Sequence, residues 1–210
     1  MLRRFLAGQF ARPHGLVGRW IIAPWLDRIG RRSNALALAE LAPAQGERVL
    51  EIGIGGGALL AAMSAHPVAE VIGVDISEAA LARARRRLAG DRRLRLVQAS
   101  AEALPLKARS VDKAVSVHSL YFWSDPKAAM DELARVLRPR GRLVLLFEPT
   151  EELRKWPGHR HGFRLFEVAE VQRLMEGAGF AAIEERWGTG RKPDRFCCLS
   201  GTRIGANRSA

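Results

Sequence analysis

The stretch Val49-Leu50-Glu51-Ile52-Gly53-Ile54-Gly55-Gly56-Gly57 limits this chain to few folds. Val49, Leu50 and Ile52 make a short apolar run of the kind that fills an interior strand, and a glycine-rich turn follows at once. Gly53, Gly55 and Gly57 carry no side chain where the backbone must bend and where a ligand comes close. A helix is expected to begin near Ala58, with its first N–H groups open to an acidic ligand. The spacing suits more than one ligand, because Gly53-x-Gly55-x-x-Ala58 also satisfies the dinucleotide fingerprint. Glu51 argues against that reading. A carboxylate two residues before the first glycine repels a pyrophosphate and accepts hydrogen bonds from an ammonium.

Further strands follow in an alternating pattern with helices. Glu70 to Asp75 reads as a second buried strand ending in an acid. Asp75 falls 22 residues after Gly53, where a doubly wound α/β fold sets a carboxylate against ribose hydroxyls. Ile76 is then placed to cover one face of an adenine. Asp75 can also be read as a helix cap, although Ser77 followed by Glu78 is the better capping pair. Leu94 to Ala99 reads as the third strand and Val111 to Val117 as the fourth, running into His118-Ser119-Leu120-Tyr121-Phe122-Trp123. Ligands of such folds lie beyond the carboxyl ends of the strands, so His118 and Tyr121 are expected to face the pocket. His118 is a candidate general base or substrate contact, and equally a packing histidine.

Several segments resemble one family. Glu51 to Gly57 resembles motif I, E/DxGxGxG, of the class I S-adenosylmethionine-dependent methyltransferases. Ser100-Ala101-Glu102-Ala103-Leu104-Pro105-Leu106 resembles that family's GDAEALPF segment, with Ser100 where the aspartate stands. Arg135 to Gly141 resembles its RVLKPGG turn, with Arg140 replacing the first glycine. Gln9 to Gly18 and Tyr121-Phe122-Trp123 are similar to a branch of small bacterial type 11-like enzymes, related to the ubiquinone and menaquinone C-methyltransferases. The resemblance implies an α/β fold with a doubly wound, seven-stranded Rossmann-like sheet, order 3-2-1-4-5-7-6, strand 7 antiparallel, preceded by N-terminal helices. It implies S-adenosylmethionine as cofactor. Glu51, Gly53, Gly55 and Gly57 would hold the methionine part, Asp75 the ribose, and Ile76, Ser100 and Ala101 the adenine, with Val117 also lining the site. His118 and Tyr121 would adjoin a small-molecule acceptor. A neutral Ser100 accepts from an adenine amino group more weakly than an aspartate does.

The division expected is 1–46 as a helical lid or cap, 47–205 as the cofactor-binding domain and 206–210 as a frayed end. Residues 1–46 mix Trp20, Trp25 and Phe10 with arginines, which suits packing on the domain, a lid, or an interfacial membrane anchor. The net charge of +12 is compatible with an anionic partner. The amino-methylating [DN]PP[YFW] pattern is nevertheless missing after the fourth strand, and no aromatics interleave the arginines of 83–95, which argues against nucleic acid. No stretch approaches the roughly 20 apolar residues that span a bilayer. Adjacent Cys197 and Cys198 fit buried thiols of a reducing compartment, so a cytoplasmic location is expected. His159 and His161 lack an evident third ligand, and no metal is expected. An NAD-binding oxidoreductase, a catalytically silent binding protein and a peripheral lipid methyltransferase remain alternatives.

Overall fold

The computed structural model describes residues 30–160, 162–190 and 195–205. Its strands are β1 (Arg48–Ile52), β2 (Glu70–Asp75), β3 (Leu94–Gln98), β4 (Val111–Val117), β5 (Leu137–Phe147), β6 (Phe180–Thr189) and β7 (Arg195–Arg203). They form one sheet in the order β3-β2-β1-β4-β5-β7-β6. β7 runs antiparallel to both of its neighbours, and the pairs from β3 through β5 are parallel. This is the sheet that the resemblance implies.

The helices are α1 (Arg31–Leu41), α2 (Ala58–Ser64), α3 (Glu78–Arg87), α4 (Pro126–Val136), α5 (Thr150–Leu153) and α6 (Val168–Gly177). They cover both faces of the sheet. On one face Leu133, Met130 and Met175 pack with Leu50, Ile72 and Leu145; on the other Leu41, Leu59 and Leu81 pack with Val49, Val71 and Val144. Two separate cores explain why the strands read as nearly continuous apolar runs. Local signals set the helix starts. Ser77 accepts the Ala80 N–H at the head of α3, and Asp125 accepts the Ala128 N–H ahead of Pro126 in α4.

Three details go beyond the sequence reading. β5 begins at Leu137, which pairs with Val111 before a register shift, so the Arg138–Gly141 turn is absorbed into the strand as an irregularity. Arg140 there takes φ +68°, a left-handed conformation that favours glycine. The segment 148–160 contains α5 and a 3-10 turn at Pro157–Arg160; the Thr150 N–H donates to Phe166 and Leu153 is buried, which ties the segment to the core. Arg93, read as part of a basic surface, instead turns inward to Asp91 and to the carbonyls of Ser64 and His66.

The expected lid or membrane-facing helices lie mostly in residues 1–29, outside the described residues. From the same N-terminal region, α1 packs on the sheet, with Ala37 and Leu41 fully buried. Among the described residues no helix is long and apolar enough to cross a membrane.

Candidate active site

A cleft of about 540 Å³ opens beyond the carboxyl ends of β1, β2 and β4. Its floor is the Gly53–Gly56 turn, and its sides are Asp75–Ser77, Ala99–Glu102 and Val117–Ser119, with Gly30 and Asn34 at the rim. Glu51, Gly53, Gly55, Asp75, Ile76, Ser100, Ala101, Val117 and His118 all line it. Gly57 and Tyr121 do not.

Glu51 sits in β1 between Gly73 and Val115 of the neighbouring strands and is almost wholly buried. Its Oε2 has no hydrogen-bond partner among the described residues. Burial, and then the nearby Asp75 charge, push its carboxyl well above the usual range; a backbone N–H of Leu60 only tempers this. Across the turn, Asp75 accepts the Gly55 N–H through Oδ2 at 3.2 Å and the Ser77 N–H through Oδ1 at 2.8 Å. Ile76 lies beside it, 43% exposed, and lines the cleft with an uncovered apolar face.

Gly57 works differently from the expectation. It has φ +73°, and a Cβ there would stand 3.0 Å from the Ala84 Cβ, so its missing side chain lets α2 close on α3. Gly55, at φ +51°, also lines the cleft, and among the described residues nothing lies within 4 Å of the position a Cβ would take.

At the end of β4, His118 adopts φ +53° and its N–H donates to the Leu146 carbonyl at 2.8 Å. The ring is partly buried, and desolvation lowers its pKa to about 4. Tyr121, expected in the pocket, is buried behind it, 4% exposed. Its hydroxyl lies 3.3 Å from Nδ1 of His118 and accepts the Glu148 N–H at 2.5 Å. Phe122 reaches the cleft in its place, backed by Phe163 at 4.7 Å, which in turn meets Trp156 at 5.2 Å.

A family model described as a methyltransferase domain matches residues 50–145. A ubiquinone/menaquinone biosynthesis C-methyltransferase of Syntrophotalea carbinolica is 39% identical over 165 residues, 73% of this chain and 68% of that protein. The chain belongs to the class I S-adenosylmethionine-dependent methyltransferases.

A demethylmenaquinone methyltransferase of Clavibacter sepedonicus is 38% identical to this methyltransferase over 71% of the chain, which spans 58% of that relative's length. The fold is shared with the N-methyltransferase NodS of Bradyrhizobium japonicum, solved in complex with S-adenosyl-L-homocysteine (TM-score 0.75, 17% identity, 97% of this chain and 99% of that one). It is shared too with a Haloferax volcanii methyltransferase solved in complex with the Trm112 methyltransferase activator (TM-score 0.78, 20% identity, 87% and 93%).

The cofactor of this methyltransferase is S-adenosylmethionine, and the cleft fits it. The orphaned Glu51 oxygen suits an ammonium and would oppose a pyrophosphate, the cradle at Gly55 leaves backbone open to a ligand, and Ile76 offers an uncovered apolar face. Glu102 was not singled out from sequence, yet it lines the cleft and takes the Ser100 hydroxyl on Oε2. Its Oε1 accepts from the Ser124 N–H at 2.7 Å and the Asp125 N–H at 3.2 Å. A carboxylate thus stands beside the hydroxyl that replaces the family's aspartate. The signal lay in the spacing: Glu102 is two residues on from Ser100. Ser119 was missed too; its hydroxyl donates to the Ile52 carbonyl and receives that of Ser116, tying β4 to the end of β1. Among the described residues no group of three potential ligands could hold a metal ion.

Proposed function

We propose that this methyltransferase acts on a small aromatic or conjugated acceptor bound between His118, Phe122 and Trp123. The observation that carries this reading is the shape of the site. The cleft lies within the usual ~300–1,000 Å³ range of small-molecule pockets, and at its acceptor end an aromatic wall of Phe122, Phe163 and Trp156 backs one side. The names of the Syntrophotalea and Clavibacter relatives point to quinone-type acceptors.

S-adenosylmethionine supplies an electrophilic methyl on a sulfonium and leaves as S-adenosylhomocysteine. Glu51 would hold the ammonium end, Asp75 the ribose hydroxyls, and Ile76 with Ala101 the faces of the adenine, with Ser100 and Glu102 at its polar edge. Phe122 and Trp123 exclude water and orient the acceptor. Such positioning can supply about 7–11 kcal/mol of the barrier. We also place the protein in the cytoplasm, where the free, buried Cys197 and Cys198 would stay reduced.

The test is transfer of tritium from labelled S-adenosylmethionine to a panel of hydroquinones, phenols and amines. Organic-extractable label is expected. Label appearing solely in RNA or protein added as competitor would overturn the small-molecule reading.

A further inference from the structure

The hydrogen-bond chain Glu148–Tyr121–His118 decides what His118 offers the cleft. The Tyr121 hydroxyl accepts the Glu148 N–H, so its own proton must go elsewhere. Among the described residues the one acceptor in reach is Nδ1 of His118, at 3.3 Å. Were Nδ1 protonated, the phenol would receive two donors and its own proton would be buried without an acceptor, at the full desolvation penalty of that group. Nδ1 is therefore the acceptor, and the neutral ring carries its hydrogen on Nε2. Nε2 makes no hydrogen bond with the described residues, and the ring to which it belongs lines the cleft. His118 keeps a left-handed backbone, and its N–H is bonded to the Leu146 carbonyl.

We propose that His118 is a hydrogen-bond donor, through Nε2–H, to an oxyanion of the acceptor, and that the acceptor is an acidic enol or phenol that reacts in its ionised form. This rests on the methyltransferase reading above and replaces the general-base role considered from sequence. A ring with Nδ1 engaged and Nε2 already protonated has no lone pair to take a proton at the cleft. Among the described residues the other acids of the lining do not fill the gap: Glu51 would face the ammonium end, Asp75 is tied to Gly55 and Ser77, and Glu102 is tied to Ser100, Ser124 and Asp125. The acceptor must then lose its proton to solvent as it binds. A charge-assisted bond from Nε2–H favours that ionised form in the cleft. In the transfer step the electron pair so freed forms the new bond to the methyl carbon, and the methyl–sulfur bond breaks with its pair left on sulfur. Atoms and charge balance without another reactant.

Two measurements on the full chain saturated with S-adenosylhomocysteine test this. The first is the tautomer, read from ring ¹⁵N shifts of ¹⁵N-histidine-labelled protein, with His118 assigned by loss of its signals in His118→Gln. The neutral Nε2–H tautomer is expected at pH 7, with a shift away from it in Tyr121→Phe. An Nδ1–H tautomer or an imidazolium in the wild type overturns the proposal. The second is the affinity for 2-hydroxy-1,4-naphthoquinone, an enol ionised at neutral pH, against its 2-methoxy ether. The enolate is expected to bind about tenfold or more tightly, as for one charge-assisted hydrogen bond. That preference should vanish in His118→Phe and return in His118→Gln, which keeps an N–H at the same reach; both variants carry the same backbone cost, so it cancels. Equal affinities, or no enolate binding, in the wild type overturn it. A wild type that fails to bind S-adenosylhomocysteine would instead bring down the methyltransferase reading itself.

Discussion

Asp75 Oδ2 accepts the backbone N–H of Gly55 at 3.2 Å, so the acid that ends β2 holds the glycine turn that follows β1. The same carboxylate faces the cleft in which the ribose would lie. One side chain therefore shapes the turn and offers charge to the ligand. Asp75→Asn keeps the shape and removes the charge. Its affinity for S-adenosylhomocysteine should fall about tenfold to a hundredfold, the worth of a charged hydrogen bond, as measured by calorimetry. An unchanged affinity would remove Asp75 from the binding site.

Glu51 links cofactor binding to pH. Its folded pKa is raised above the ordinary 4.5, by burial first and by Asp75 second. From about 4.5 up to that raised value the folded protein holds a proton that the unfolded chain has lost, so stability falls as pH rises through the window. Glu51→Gln removes this titration, and its stability relative to wild type should grow with pH across the same range. An ammonium partner favours the ionised carboxyl, so S-adenosylhomocysteine binding should release a proton. Binding enthalpies in buffers of different ionisation enthalpy will read that release. It should disappear in Glu51→Gln.

Two glycines of one turn should respond differently. Gly57→Ala drives a methyl against Ala84 and holds alanine at φ +73°, so a loss of about 2–4 kcal/mol is expected in chemical denaturation. Gly55→Ala meets no atom within 4 Å and should cost only about 1–2 kcal/mol from its backbone. Because Gly55 lines the cleft, a methyl there is expected to crowd the ligand, so cofactor-product affinity should fall more than stability does.

Ser100→Asp recreates the residue of the family pattern. In this protein it should weaken S-adenosylhomocysteine binding, because Glu102 already occupies the Ser100 hydroxyl and a second carboxylate would repel it. The double change Ser100→Asp with Glu102→Gln should recover affinity. An affinity gain from the single change would show that Glu102 swings clear.

Arg140→Gly should stabilise the fold by about 0.5–1 kcal/mol, the left-handed backbone cost less the entropy of glycine. The exposed Arg140 side chain at φ +68° leaves little packing to lose. Thermal denaturation at fixed pH reads the difference.

The strands around the cleft were legible because each is a short apolar run closed by turn residues: Val49 to Ile52, Glu70 to Asp75 and Val111 to Val117 all lie where the sequence places them. Most of the site residues named from sequence do line the cleft, since in this fold a residue at the carboxyl end of a strand faces the ligand whatever its partners. Roles that depend on a distant neighbour were not legible. Gly57 makes room for Ala84, 27 positions on, Tyr121 turns away from the cleft to meet Glu148, and Glu102 takes up the place beside Ser100. Period and turn chemistry are local, and so they settled the elements and the position of the cofactor cleft. The burial of Glu51, the hydrogen bonds around His118 and the choice of Phe122 over Tyr121 in the cleft lining arise from contacts between segments far apart in the chain, and only their assembly decided them.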